Sequence, residues 1–196
     1  VAAGVVAKKM NPSVHIQAKV LEVGGNNDID GEIAKSVASG DSIGGIVECI
    51  ATGIPIGLGE PFFDSVESQI SHLAFSIPAI KGISFGSGFE SARMRGSQHN
   101  DVIMDAESGE TLSNYAGGIN GGITNGNPLV FRLAVKPTSS ISVLQQTVNV
   151  KTGTQACIEV RGRHDACIAL RVPVVAEAIT AIVLADFMLV KRTNAK

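Results

Sequence analysis

The feature that most constrains this chain is a long apolar stretch near its end, from Val172 to Val190. A run of this length suits a membrane-spanning helix or a helix that is buried in a protein core. It contains Glu177 and Asp186 together with many alanines, which favours the buried helix, with Pro173 at its start. A buried helix needs partners on all sides, so the rest of the sequence must supply surfaces that pack against it.

The segments ahead of this helix carry the patterns of strands and of further helices. Leu129 to Lys136 alternates apolar and polar side chains, as a half-buried strand does. The same reasoning predicts other strands at 14–23, 46–51, 80–85 and 156–160, and helices at 1–10, 31–39 and 61–75. Because this order is not a regular βαβ succession, the predicted class is α+β, with antiparallel sheets around buried helices.

The charge balance argues against two classes of partner. The formal net charge is −2 and only 17% of the residues are charged, so no basic field attracts nucleic acid or an anionic membrane. The three cysteines, Cys49, Cys157 and Cys167, have no CxxC spacing. An odd number of cysteines without this spacing favours a reducing, cytoplasmic location and argues against disulfides and a zinc site. No charged leader precedes a short apolar run, so we expect no signal peptide.

Common nucleotide and metal motifs are missing from the sequence. Gly86-Ser87-Gly88 opens a partial GxGxxG, but position 91 is Ser and no helix pattern follows it. The chain has no GxxxxGK[ST] and no HExxH, which argues against a P-loop and a zinc protease site. His15, His72 and His99 are isolated, which is more typical of surface or structural histidines than of metal ligands.

Two polar clusters remain as candidate sites. The first is Lys136-Pro137-Thr138-Ser139-Ser140, where a predicted strand ends in a turn with one cation and three hydroxyls. Such a loop suits an anionic group such as phosphate, although a solvated turn at a strand end explains the same residues. The second is Arg161-Gly162-Arg163-His164-Asp165, just before the last helix. It can hold an anion and carry a proton, or it can be a polar surface loop with local ion pairs. The residues alone therefore indicate only a Gly-rich domain with two loops that suit either a phosphorylated ligand or solvent.

Several segments, read in order along nearly the whole chain, resemble the chorismate synthase family. They are GDSIGGIVE (40–48), PIGLGEPFFD (55–64), SIPAIKG (76–82), GSQHND (96–101), GGINGGITNG (117–126), KPTSSI (136–141) and GRHDAC (162–167), followed by VPVVAEA (172–178). The chain departs from the family pattern at Ala166, where proline is more usual.

The resemblance implies a fold, a cofactor and a reaction. The fold is a β-α-β sandwich, and the assembly is a homotetramer. The reaction is the 1,4-elimination of phosphate from 5-enolpyruvylshikimate 3-phosphate, which gives chorismate in the shikimate pathway. The cofactor is reduced FMN, and in some relatives NADPH is the reductant.

The resemblance also assigns site residues. It implies that FMN is bound by Pro78, Ala79, Gly121, the run Lys136, Pro137, Thr138, Ser139 and Ser140, and Arg163. It implies that Asp165 is the catalytic residue near the flavin's reactive ring nitrogen. Some relatives carry Asn where this chain has Pro78, so a contact there comes from the backbone or from Ala79.

The family features that precede VAAGVVAKK are not present in this sequence. Residues 1–196 therefore resemble the C-terminal part of a single chorismate synthase domain, without the N-terminal signatures that carry the histidines for proton transfer. The alternative to an active enzyme is a non-catalytic scaffold that keeps part of a flavin site. A third hypothesis, a phospholigand-binding module outside the family, rests only on the two polar clusters.

Overall fold

The computed structural model describes residues 1–162 and 164–194. Its helices and strands are, in chain order, α1 (Ala2–Met10), β1 (His15–Val23), α2 (Ile29–Ser39), β2 (Gly45–Thr52), α3 (Val66–Ala74), β3 (Ile80–Phe85), α4 (Gly96–His99), β4 (Ile119–Asn120), β5 (Ile123–Thr124), β6 (Leu129–Val135), β7 (Gln145–Val148), β8 (Gln155–Ile158) and α5 (Val172–Asn194). Short 3-10 turns lie at 62–64, 88–93 and 168–171. The helices and antiparallel strands confirm the predicted α+β class.

The central element is a four-stranded sheet in the order β1-β2-β6-β3, and every neighbouring pair is antiparallel. β6 lies inside the sheet, with Val47 of β2 and Ile83 of β3 both paired to Leu133. β1 contains a register shift between Val20 and Glu22. The hairpins β4–β5 and β7–β8 lie outside this sheet. The last residue of β6 is Val135, so Lys136 lies directly past the end of this inner strand.

One face of the sheet is buried under helices. The alternate residues of β6, namely Leu129, Phe131, Leu133 and Val135, are all buried, whereas the residues between them are half-buried. This period of two is expected for a strand with one face on the core. Complete burial of a side chain such as Phe131 contributes roughly 2–3 kcal/mol. The α5 helix packs on β1 and β2, and α3 packs on β3.

The last helix is buried, as the sequence predicted. The most apolar stretch within Ile168–Thr193 has a mean hydropathy of 2.0, which would suit a membrane span, but 56% of that stretch is buried inside the protein. The hydroxyl of Thr180 donates to Ala176 O at 2.8 Å and lies 3.6 Å from Cys49 Sγ. Burial raises the pKa of the Cys49 thiol to about 12, although the hydrogen bond with Thr180 acts in the opposite direction.

The start of α3 differs from the prediction. The helix begins at Val66 rather than at residue 61, because Ser65 provides a better cap than the preceding Glu60-Pro61. The Ser65 hydroxyl accepts a hydrogen bond from Ser68 N at 3.0 Å. Phe62, with a φ of 65°, cannot continue a helix and instead takes part in the 3-10 turn.

Two other boundaries are also shifted. The helix predicted from residue 31 begins at Ile29, since the Asp28 carboxylate accepts from Gly31 N and caps it. The strand predicted at 156–160 is observed at Gln155–Ile158, where pairing with β7 ends.

Candidate functional site

Two of the predicted flavin-binding segments meet at the edge of the sheet. Lys136, the first residue after β6, donates its backbone N–H to Ala79 O at 2.9 Å. Ala79 has a φ of 74°, a conformation that is uncommon for a residue with a side chain. Strain of this kind is concentrated at functional sites. The neighbouring Pro78 is exposed. The chain therefore brings Pro78-Ala79 and Lys136 to one place, although 57 positions separate Ala79 from Lys136.

The loop after Lys136 contains a buried hydroxyl without a partner. Thr138 Oγ1 is buried, and no group in the described part of the chain forms a hydrogen bond with it. The Thr138 carbonyl, in contrast, accepts a hydrogen bond from Ser42 Oγ at 2.5 Å. Lys136 Nζ is exposed and lies 3.2 Å from Pro137 O. A buried polar atom that lacks a partner is unusual in a folded protein, and a bound ligand is one way to satisfy it.

The second polar cluster lies immediately before α5. Asp165 accepts a hydrogen bond from Arg171 Nη2 at 2.8 Å. Arg161 is paired with Glu159, with 3.4 Å between Nε and Oε1. Arg163 lies outside the described residues. The loop is attached to the body of the protein by Ala166 O, which accepts the N–H of Ile43 at 2.8 Å.

The two clusters share one cavity. It has a volume of about 180 Å³. Its lining includes Gly40, Asp41, Ser140, Ser142, His164 and Asp165. This cavity therefore brings together Ser140 of the first cluster and Asp165 of the second, with Asp41 as an additional carboxylate. Its volume is below the roughly 300 Å³ at which pockets for drug-sized ligands begin, so it suits a part of a flavin rather than the whole molecule.

Gly121 lies apart from these residues. It occupies the turn between β4 and β5, with a φ of 59°, and a Cβ placed on it would meet no atom within 4 Å. The hairpin precedes β6, whereas Lys136 follows that strand. Gly118, just before the hairpin, lies against Pro128 at the start of β6, whereas Lys136 follows the end of this seven-residue strand.

The donor set of the first cluster fits the phosphate-bearing part of FMN. Lys136 supplies a cation, and Thr138, Ser139 and Ser140 supply hydroxyls. The shared cavity has a different chemistry, because Asp41 and Asp165 are both acceptors there. Two carboxylates disfavour a phosphate and favour N–H or O–H groups, of which the flavin ring and the ribityl chain have several. The residues present therefore fit FMN if its phosphate lies toward Lys136.

Sequence reasoning did not assign Asp41 and Ser42 to the site. Both belong to GDSIGG, a segment that supported the family resemblance but carried no predicted role. Ser42 and Thr138 are 96 positions apart. The only signal available from the sequence was the polar pair Asp41-Ser42 between glycines.

A larger cleft lies elsewhere, between the 3-10 turn after β3 and the β4–β5 hairpin. Its volume is about 1030 Å³, and its lining includes Met94, His99, Asn100, Asp101, Asn120 and Asn125. His99 Nε2 lies 3.1 Å from Ser87 Oγ, so the histidine has a structural partner. Burial would raise the pKa of Asp101, but hydrogen bonds from Ser113 and from the Ala116 and Tyr115 amides lower it.

Among residues 1–162 and 164–194, no three His, Cys, Asp or Glu side chains converge on a position that could hold a metal ion.

Comparison with known proteins identifies the family. The profile of the chorismate synthase family matches residues 1–189. Among curated relatives, the chorismate synthase of Chitinophaga pinensis is 61% identical over 195 residues, which cover 99% of this chain and 58% of the relative. That of Dehalococcoides mccartyi is 52% identical over 158 residues, which cover 80% of this chain and 43% of the relative.

A solved structure described as the crystal structure of chorismate synthase has the same fold. It superposes with a TM-score of 0.78 at 28% identity, and the match covers 97% of this chain and 62% of the solved chain. The chain thus spans about half the length of the curated relatives it matches. With the family profile matched over residues 1–189 and 61% identity to a curated relative, this chain belongs to the chorismate synthase family.

Proposed function

We propose that this chain is the C-terminal, flavin-holding part of a chorismate synthase domain. The reaction is the FMN-dependent 1,4-elimination of phosphate from 5-enolpyruvylshikimate 3-phosphate to give chorismate. The observation that carries the proposal is the convergence of the 136–140 and 161–165 loops on one cavity through Ser140 and Asp165, in a chain of this family.

When bound, reduced FMN would supply the chemistry, a transient electron for the substrate with no net redox change. The chain's contribution is to bind and orient. Lys136 would offer its ammonium to the FMN phosphate, and the Thr138 hydroxyl, buried and without a partner in the described chain, would donate to a flavin oxygen. Ser139 and Ser140 add hydroxyl donors on the same loop. The contacts with Pro78, Ala79, Pro137, Gly121 and Arg163 belong to the same proposal.

Asp165 has a separate role in this proposal. Its carboxylate lines the shared cavity, where it would accept a hydrogen bond from an N–H of the flavin ring. Arg171 donates to Oδ1, and within the described residues the second carboxylate oxygen is left for that bond. A carboxylate in this position would favour a proton on the ring nitrogen that faces it.

The assembly and location also belong to the proposal. We propose that the protein is cytoplasmic and forms a homotetramer, as the resemblance to chorismate synthases implies, with NADPH as a reductant in some relatives. The net charge of −2 argues against a nucleic acid or an anionic membrane surface as partner, so a small anionic substrate would have to be held by local cations.

A second candidate is a non-catalytic scaffold that retains a partial flavin site. The observation in its favour is that the chain covers only 58% of the Chitinophaga pinensis relative. The two candidates differ in one result, because the scaffold binds FMN without turnover.

The experiment measures FMN binding and chorismate formation by this polypeptide under anaerobic conditions with reduced FMN. Lys136→Ala is compared with Lys151→Ala, since Lys151 is an exposed lysine in the turn of the β7–β8 hairpin. Turnover that is lost in Lys136→Ala and kept in Lys151→Ala supports the enzyme. FMN binding without turnover supports the scaffold. Absence of both binding and turnover overturns the proposal.

A further inference from the structure

A short segment that the flavin assignment does not include joins the two site loops. We name it the 40–44 segment, from Gly40 to Gly44, between α2 and β2. Its Ser42 hydroxyl donates to Thr138 O at 2.5 Å, and its Ile43 N–H donates to Ala166 O at 2.8 Å. Gly40 O accepts the N–H of Ser142 at 2.9 Å. One segment therefore holds the loop after β6 at two points and the loop before α5 at one.

The segment is itself attached to rigid elements at both ends. Gly40 ends α2 in the left-handed conformation, with a φ of 69°, and its N–H reaches back to Ser36 O and Val37 O. Gly44 O accepts the N–H of Gly24 at 2.9 Å. A Cβ on Gly44 would lie 2.6 Å from Val135 O, so glycine is needed where the segment passes the end of β6. The segment is therefore a fixed support for the loops.

The Ser42 side chain acts on the part of the loop that lacks other support. Pairing of β6 ends at Val135, and Thr138 to Ser140 belong to no strand or helix. In a trans peptide the carbonyl and the following N–H point in opposite directions. The bond from Ser42 to Thr138 O thus turns the Ser139 N–H away from the 40–44 segment, and the orientation of that donor depends on the Ser42 hydroxyl.

Ser42 is suited to this role by its own backbone. The Ser42 N–H donates to the Asp41 carboxylate at 2.7 Å, which fixes the turn before the hydroxyl. Asp41 in turn lines the shared cavity with Ser140 and Asp165. The pair Asp41-Ser42 therefore places one group in the cavity and one group behind the loop.

We propose that Ser42 is a positioning residue of the cofactor site, which holds the Thr138–Ser140 loop in its flavin-binding conformation through the Thr138 carbonyl. The inference rests on the proposed function, because it assigns Ser42 to the flavin site of that function. Ser42 does not touch the reacting atoms. Its effect is carried by the orientation of the Thr138–Ser139 peptide.

The experiment compares FMN binding by the parent chain, Ser42→Ala and Ser42→Thr. The control is Thr193→Ala, which removes a hydroxyl that donates to Val190 O at 2.7 Å at the exposed end of α5. Loss of one such hydrogen bond raises the FMN dissociation constant about fivefold to tenfold in Ser42→Ala. We expect Thr193→Ala to match the parent chain and Ser42→Thr to restore part of the loss.

The visible circular dichroism of saturating FMN separates positioning from stability. This signal comes from the asymmetry of the flavin's surroundings, so a misoriented loop changes it even when the Tm of the apo chain is unchanged. A changed spectrum with weaker binding in Ser42→Ala supports the inference. Equal affinity and an equal spectrum in Ser42→Ala overturn it while the proposed function stands. Absence of FMN binding by the parent chain overturns both.

Discussion

Lys8 on α1 donates to Glu177 on α5, with 2.6 Å between Nζ and Oε2. The other oxygen of Glu177 accepts the backbone N–H of Ala18 on β1 at 3.0 Å. The half-buried Glu177 carboxylate therefore connects α5 with α1 through one oxygen and with β1 of the sheet through the other. Glu177 is one of the two acidic residues that argued against a membrane helix in the sequence. Its hydrogen bonds explain how the interface between helices and sheet accommodates a charged side chain.

Replacing Glu177 tests this connection. We expect Glu177→Ala to lower the free energy of unfolding by about 2 kcal/mol, since it leaves the Ala18 N–H and the Lys8 ammonium without an acceptor. Glu177→Gln keeps an acceptor for Ala18 and should cost about half as much. Urea denaturation at pH 7 measures both values. A Glu177→Ala variant as stable as the parent chain would show that water replaces the carboxylate.

Gly4 supports the same helix pair by its lack of a side chain. A Cβ at Gly4 would lie 2.5 Å from Ala178 Cβ and 2.6 Å from Ala178 Cα, so the two helices would have to separate. Replacement of a helical glycine by alanine ordinarily gains up to about 1 kcal/mol. Here the clash reverses the sign, and we expect Gly4→Ala to destabilise the chain by about 1–3 kcal/mol.

The control for Gly4 is Gly96→Ala, at the first residue of α4, because a Cβ there meets nothing within 4 Å. Thermal unfolding should show a lower Tm for Gly4→Ala and no loss for Gly96→Ala. A Tm for Gly4→Ala equal to or above that of the parent would contradict the close approach.

The regular elements were predictable because their signals are local. β6 alternates because one of its faces is buried, and α5 is apolar over a long stretch because several of its sides are buried. Both patterns are observed in the structure. The predicted start of α3 was wrong because two signals for a helix N-terminus, Pro61 and Ser65, lie within five residues. Pro61 satisfies the rule for a first helical position, but the Ser65 hydroxyl bonds the helix N-terminus.

The candidate site was predictable only in part, for a physical reason. The 136–140 and 161–165 loops could be found because each gathers cations and hydroxyls within five residues. The 40–44 segment contributes through contacts between residues far apart in sequence, such as Ser42 and Thr138. Such contacts depend on sheet order, and no local pattern encodes that order.

Asp101 predicts a pH dependence of stability. Burial would raise its pKa, but hydrogen bonds from Ser113 Oγ at 2.6 Å and from the Ala116 and Tyr115 amides at 2.9 Å lower it. The folded pKa is then below the unfolded value of about 3.9. Stability from this group is therefore present above pH of about 4 and is lost as the pH falls through the folded pKa.

The measurement for Asp101 is urea unfolding of the parent chain and Asp101→Asn between pH 7 and pH 3. The parent should be more stable at pH 7, and the difference should shrink below a pH of about 4 as the carboxylate is protonated. A difference that stays constant down to pH 3 would mean that the hydrogen bonds do not favour the charged form.

Asp165 provides the test of the site's chemistry. Asp165→Asn keeps the size of the side chain but replaces one acceptor oxygen with a donor, so it cannot accept equally from Arg171 and from a flavin N–H. We expect chorismate formation to fall about a hundredfold, while the circular dichroism of the apo chain is unchanged.

The matched control is Asp30→Asn, because Asp30 is an exposed aspartate on α2, and this variant should keep full activity. Because Asp165 is an exposed residue with one ion pair, its loss has little effect on folding. Full turnover in Asp165→Asn would therefore remove this carboxylate from the mechanism and leave its pairing with Arg171 as a surface contact.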